Sequence, residues 1–199
     1  MVVEDINLFP ILVRRIPNFL SQEECDTIIK RQVKTNFHEH GALEGDASST
    51  FDFNVGSDKV YALDLIDQYL PINGRVFDSI NDYVRDIGVS PVKIDNSWIN
   101  VQGPGSRLHD HMHPISVVSG ALYIKVDSDS SSINFHNPNP FVDMFDVKRW
   151  TVHTFKTSYI PPTTGDLLLF PSWLKHGSNQ PNRSQERIVL SFNTSYIPV

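Results

Sequence analysis

Residues 165–176 read Gly165-Asp166-Leu167-Leu168-Leu169-Phe170-Pro171-Ser172-Trp173-Leu174-Lys175-His176. A short apolar run entered through Gly-Asp and left through Pro-Ser has the length and punctuation of a buried strand. This one leads directly to a histidine. Working outward, segments of the same kind recur from residue 91 on: Trp98-Ile99-Asn100-Val101, Ala121-Leu122-Tyr123-Ile124-Lys125-Val126 and Arg187-Ile188-Val189-Leu190-Ser191-Phe192. They are β-branched and aromatic, separated by Pro, Gly, Asn and Asp, with no helical pattern between them. Short strands at this density predict an antiparallel sandwich or barrel over residues 91–199.

The first ninety residues differ. Ser21-Gln22-Glu23-Glu24 has the form of a capping box, in which Ser21 and Glu24 satisfy each other's free main-chain N–H groups. Cys25, Ile28 and Ile29 follow at helical spacing. A second helix is predicted over 73–87, because Ile72, Val76, Ile80, Val84 and Ile87 share one stripe and Gly88 supplies a left-handed stop. Between the two, residues 38–58 are rich in Gly, Ser and Asp and read as a loop able to move over a pocket. The expectation is one domain, 1–199, with a helical support region over 1–90 and a β core over 91–199.

Composition narrows the function. Of the 199 residues 40% are hydrophobic and 20% charged, enough for a core and too few charges for a disordered chain. The formal net charge of −6 argues against general nucleic-acid binding. One cysteine, Cys25, cannot form an internal disulfide, and it reads as a small core residue. No leader-like segment and no apolar stretch of spanning length is present, so a cytoplasmic location without membrane attachment is expected.

Histidines are concentrated. Three lie in His109-Asp110-His111-Met112-His113, and His176 ends the run quoted above. Residues i and i+2 on an extended chain point to one side, so His111 and His113 can converge on one metal ion. His109 and His111 satisfy the same argument, and Asp110 can enter only if the backbone turns. A third ligand from a distant strand closes one face of an octahedron and leaves the other open, as non-haem iron sites require. His38 and His40 read as solvated loop residues, His136 and His153 as structural or rim residues. Trp98, Trp150 and Trp173 read as core, with Trp173 near enough to His176 to shape a pocket.

Taken together, Trp98-Ile99-Asn100, His111-Met112-His113-Pro114, Ser119-Gly120-Ala121-Leu122-Tyr123, Phe170 to His176 and Arg187 to Asn193 resemble the 2-oxoglutarate/Fe(II) dioxygenase superfamily. The likeness is closest to a small branch found in bacterial and phage genomes and covers about residues 96–195. It implies a double-stranded β-helix (jelly roll) supported by N-terminal helices. It implies Fe(II) held by a His-x-Asp/Glu pair and a distal His, here His111, His113 and His176. It also implies that a basic residue about ten positions past the distal His pairs with the far carboxylate of 2-oxoglutarate. Arg187, eleven positions on, suits that role, since a guanidinium meets a carboxylate bidentately; Arg183 sits in a turn and suits it less.

Two departures from the family pattern stand out. A histidine occupies the carboxylate position, and Val189 stands where an R-x-S pattern would place a hydroxyl. By the same resemblance Tyr123 is the expected replacement donor, with a plain sheet aromatic as the alternative. The expected reaction is hydroxylation of a prime substrate that the sequence does not name, with 2-oxoglutarate and O2 as co-substrates. The rivals are a jelly-roll metal-binding or structural protein without catalysis, and a cupin-like three-histidine dioxygenase without 2-oxoglutarate. Arg187 speaks against the last.

Overall fold

The computed structural model describes residues 3–6, 8–32, 37–51 and 61–197. In chain order its elements are β1 (Arg14–Ile16), α1 (Gln22–Gln32), β2 (Leu43–Glu44), β3 (Ala47–Ser49), α2 (Ala62–Asp67), α3 (Asn73–Ile87), β4 (Val92–Gln102), β5 (Arg107–Leu108), β6 (Val118–Lys125), β7 (Ile133–His136), a 3-10 turn (Pro140–Met144), β8 (Thr157–Ile160), β9 (Leu167–Pro171), β10 (His176–Ser178) and β11 (Arg187–Tyr196). A major sheet runs in the order β1-β9-β6-β11-β4-β3, and a smaller one in the order β10-β7-β8. Every pairing is antiparallel. The architecture is the jelly roll that the sequence predicts.

Alternation along the major sheet explains why its strands read as unbroken apolar runs. Leu122, Ile124, Leu167, Leu169, Leu190 and Phe192 point outward and pack under the helices with Ile28, Val76 and Ile80. Their neighbours Ala121, Tyr123, Leu168, Phe170 and Val189 point inward, against Ile133 and Phe135 of the smaller sheet. A sheet covered on both faces has no solvent face to carry polar residues. Polar side chains on the inner face therefore line a cavity or find partners there.

Both predicted helices form. At α1 the Glu24 N–H donates to Ser21 Oγ (3.2 Å) and the Ser21 N–H to Glu24 Oε2 (2.8 Å), the reciprocal pair of a capping box. At α3 Val76, Ile80, Tyr83 and Val84 are buried, and Gly88 ends the helix with φ 73°.

Other expectations need correction. α2 was not legible: six residues have little helix-forming power alone, and this turn is held by burial of Ala62, Leu63 and Ile66 and by the Leu63 N–H donating to Ser97 Oγ (2.9 Å). The stretch 38–58 is not all loop. β3 adds to the edge of the major sheet against β4, and β2 pairs with β5; residues 52–58 lie outside the described ones. The β core also begins before residue 91, since β1 and β3 are its two edges. Small Ala and Ser side chains carry no apolar periodicity, which is why β3 is silent in the sequence.

Candidate active site

The segment after β5 runs antiparallel to β10. The His111 N–H donates to the His176 carbonyl (2.9 Å) and the His176 N–H to the His111 carbonyl (3.0 Å), so the two residues sit opposite each other. Two residues on, the His113 N–H donates to the Ser172 carbonyl (2.9 Å), which keeps His113 on the same side. One ring nitrogen from each of His111, His113 and His176 lies within 4.8 Å of the others. Ring centroids are 4.4 Å apart for His111 and His176, and 4.8 Å for His111 and His113.

Each imidazole is held from behind. His111 Nδ1 lies 2.7 Å from the His109 carbonyl oxygen and His176 Nδ1 2.8 Å from that of Leu174. A carbonyl only accepts, so both rings carry their proton on Nδ1 and leave the Nε2 lone pair free. His113 Nδ1 meets the side-chain amide of Asn193 at 3.2 Å. Burial holds the His176 imidazole down at about 3 and His113 at about 4, with neighbouring imidazoles adding to both shifts, and burial lowers His111 too. Three neutral, converging nitrogens form a donor set that fits a divalent transition metal.

The other candidates separate from this cluster. His109 Nε2 faces Glu44 across 3.7 Å. Asp110 points away, its Oδ2 lying 2.9 Å from His136 Nε2. Gly177 makes room for that carboxylate: a Cβ there would sit 2.5 Å from Asp110 Oδ1. His136, expected to be a structural or rim residue, is paired with Asp110 and stands apart from the three-histidine cluster. His40 does not stay in solvent; it lies against Phe51, centroids 4.9 Å apart, at the cavity wall, and burial lowers its pKa. Trp98 lines the same cavity, whereas Trp173 lies half exposed along a different groove, lined by Pro114 and Ile115.

The cavity, about 280 Å³, opens beside the three histidines and runs between the sheets to Arg187. Arg187 begins β11, opposite Gln102 at the end of β4, and its Nη1 donates to Gln102 Oε1. It is 8% exposed, and among the described residues no carboxylate pairs with it. Burial works against its charge, yet a guanidinium cannot lose its proton in a protein. The Arg187 Nε, the Gln102 Nε2 and the Tyr123 hydroxyl are all buried without a hydrogen-bond partner. Tyr123 lies under the guanidinium, its ring centroid 5.6 Å from Cζ, and burial raises its pKa, which keeps its proton available. Three unpartnered donors and one uncompensated positive charge at the end of a cavity fit a carboxylate, which only accepts. Asn100 Oδ1, an acceptor, is also unpartnered on this wall, and a carboxylate does not serve it.

Gln102, Asn193 and Ser119 went unread in the sequence. Their signal is alternation: Trp98, Asn100 and Gln102 on β4, like Ser191 and Asn193 on β11, put polar groups on the inner face of a sheet buried on both sides.

Comparison with known proteins bears on the family and the fold. A family model described as "Putative 2OG-Fe(II) oxygenase" matches residues 96–193, which include all three histidines, Tyr123 and Arg187. No curated protein matches the chain in sequence. Among solved structures, a 2OG-Fe(II) oxygenase family oxidoreductase from Burkholderia pseudomallei aligns over 92% of this chain and 85% of its own, with TM-score 0.68 and 14% identity. HygX from Streptomyces hygroscopicus, with nickel, 2-oxoglutarate and hygromycin B bound, aligns over 92% and 82%, with TM-score 0.64 and 12% identity. A Pseudomonas putida prolyl-4-hydroxylase aligns over 94% and 93%, with TM-score 0.59 and 16% identity. Among the described residues no helix is long and apolar enough to cross a membrane. The chain belongs to the 2-oxoglutarate/Fe(II) oxygenase family.

Proposed function

We propose that this oxygenase is a hydroxylase whose Fe(II) is held by His111, His113 and His176, with 2-oxoglutarate anchored by Arg187 and Tyr123. One observation carries the reading: a buried guanidinium with no counter-charge among the described residues shares one cavity with three converging neutral imidazoles. The cost of burying such a charge alone is several kcal/mol, on the order of 3–5, and an anionic co-substrate offsets it. When bound, iron supplies the oxidising chemistry that couples decarboxylation of 2-oxoglutarate to succinate with insertion of one oxygen atom of O2 into a substrate C–H bond.

The chain itself binds and orients. His111 and His176, fixed by their paired main-chain hydrogen bonds, set the metal position. Arg187, Tyr123 and Gln102 set the far carboxylate. The sheets exclude water from the space between. Phe51 stands edge to face with His40 on one side and Trp98 on the other, 4.9 Å between centroids in each case, and this wall leads in toward His113. It favours an uncharged, apolar group at the reacting carbon of the prime substrate.

The reading treats residues 1–199 as one domain, because a single core joins α1, α2 and α3 to the sheet. It places the protein in the cytoplasm, in keeping with one buried free cysteine. Anaerobic protein supplied with ferrous iron, 2-oxoglutarate and excess ascorbate, which reduces the metal site after each turnover in place of the prime substrate, should form succinate in excess over enzyme when O2 is admitted. Bound iron without succinate would overturn the co-substrate assignment and favour the three-histidine dioxygenase that uses none.

A further inference from the structure

His113 differs from the other two histidines in what holds it. His111 and His176 lean on main-chain carbonyls, which fix one tautomer. His113 leans on a side-chain amide, which can donate or accept. Behind that amide lies a buried polar chain. Ser119 Oγ lies 2.7 Å from the Asn193 side-chain amide and 2.8 Å from Ser172 Oγ. The Ser172 carbonyl accepts the His113 N–H (2.9 Å). The chain thus closes into a ring that begins and ends on His113, gripping the imidazole at Nδ1 and the backbone at N. Asn193, Ser119 and Ser172 are 5%, 2% and 0% exposed. Their placement follows from register: Ser119 pairs across the sheet with Asn193 on one side and Phe170 on the other, and Ser172 comes just after β9.

These heavy atoms admit two proton patterns. In one, the Asn193 amide donates to His113 Nδ1, so the imidazole proton sits on Nε2 and blocks it as a ligand. In the other, the amide is turned over. Its oxygen then accepts from His113 Nδ1–H, its nitrogen donates to Ser119 Oγ, and the Ser119 hydroxyl donates to Ser172. All partners are satisfied either way, and only the second leaves the His113 Nε2 lone pair free.

We propose that Asn193, anchored through Ser119 to Ser172, is the positioning residue that sets the tautomer and ring plane of His113 for metal binding. The proposal rests on the reading of His111, His113 and His176 as the metal ligands. The Asn193–Ser119–Ser172 chain does for the third imidazole what main-chain carbonyls do for the other two. It is the one adjustable support in the set. Groups that orient a ligating imidazole generally change metal affinity 10–100-fold when removed.

The test uses cobalt(II) as a spectroscopic stand-in for iron, titrated into the full-length metal-free protein and into N193L, N193D and H176A. Visible ligand-field absorption reads both affinity and geometry, and thermal unfolding checks that each variant is folded. N193L is expected to bind cobalt about 10–100-fold more weakly with a shifted band pattern. N193D, an acceptor that can only take the Nδ1 proton, is expected to bind at least as tightly as the native protein with a near-native spectrum. H176A is expected to lose the signal. Native affinity and spectrum in N193L, with the signal lost in H176A, would overturn the positioning role while leaving the metal site intact. N193D binding as weakly as N193L would overturn it too. Native cobalt binding by H176A would instead overturn the ligand assignment on which the proposal rests.

Discussion

His111 and His176 exchange both of their main-chain hydrogen bonds, at 2.9 and 3.0 Å, although 65 residues separate them in sequence. A paired position of this kind brings side chains of facing strands together on one face. The cluster of three histidines is therefore a property of strand register more than of loop conformation. Side-chain changes within it should alter metal binding before they alter the fold.

His176→Ala should remove iron binding or weaken it severely, because one of the three proposed protein ligands is lost, while far-ultraviolet circular dichroism stays native. His136→Ala should leave iron stoichiometry and affinity nearly unchanged, because His136 faces Asp110 and not the cluster. Metal analysis after anaerobic reconstitution decides both. Full iron occupancy in the first variant, or its loss in the second, would show that the wrong imidazoles have been chosen.

Gln102→Leu should weaken 2-oxoglutarate by about 10-fold or more, on the order of 1.5–3 kcal/mol for a hydrogen bond to a charged group, without changing iron affinity. Gln102 Nε2 is unpartnered at the Arg187 end of the cavity, and its Oε1 orients the guanidinium. Equilibrium dialysis of 2-oxoglutarate against the iron-loaded variant gives the number. An unchanged dissociation constant would remove Gln102 from the site.

The metal-free protein should lose stability as pH falls below neutrality. His176 and His113 have folded pKa values near 3 and 4, below the ordinary 6.5. Between about pH 6.5 and 4 the unfolded chain takes up protons at these positions and the folded chain does not. Each such group should cost about 1.4 kcal/mol per pH unit over that window. Urea unfolding at pH 7, 6 and 5 tests this. Stability that is flat or rising toward pH 5 would contradict it.

The fold was legible where the apolar pattern was two-sided or helical, as at Leu167–Phe170 and along the Val76 stripe. It was illegible where tertiary packing imposed structure on a weak local pattern, as in α2, and where edge strands were built from small residues, as in β3. In the site, the i, i+2 geometry allowed His111 with His113 but left His109 and Asp110 open as replacements for one of them, and it took the register with His176 to bring the rings of His111 and His113 to that of His176. That register turns His109 toward Glu44 and Asp110 toward His136. Gln102 and Asn193 were hidden because a polar residue on a strand reads as solvent-facing until the sheet is known to be buried on both faces. His40 was missed for a related reason: a Gly- and Ser-rich stretch gives no sign that it folds against a cavity.

Arg187 carries the claim that this site takes 2-oxoglutarate, so the most direct measurement is calorimetric titration of 2-oxoglutarate into anaerobic iron-loaded protein, native and Arg187-substituted. Arg187→Ala should keep its iron and lose hundreds-fold or more in affinity for 2-oxoglutarate, about 3–5 kcal/mol for a buried carboxylate left unpaired. Arg187→Lys, which keeps the charge and loses the planar fork, should fall between the two. Native affinity for 2-oxoglutarate in Arg187→Ala would contradict the account.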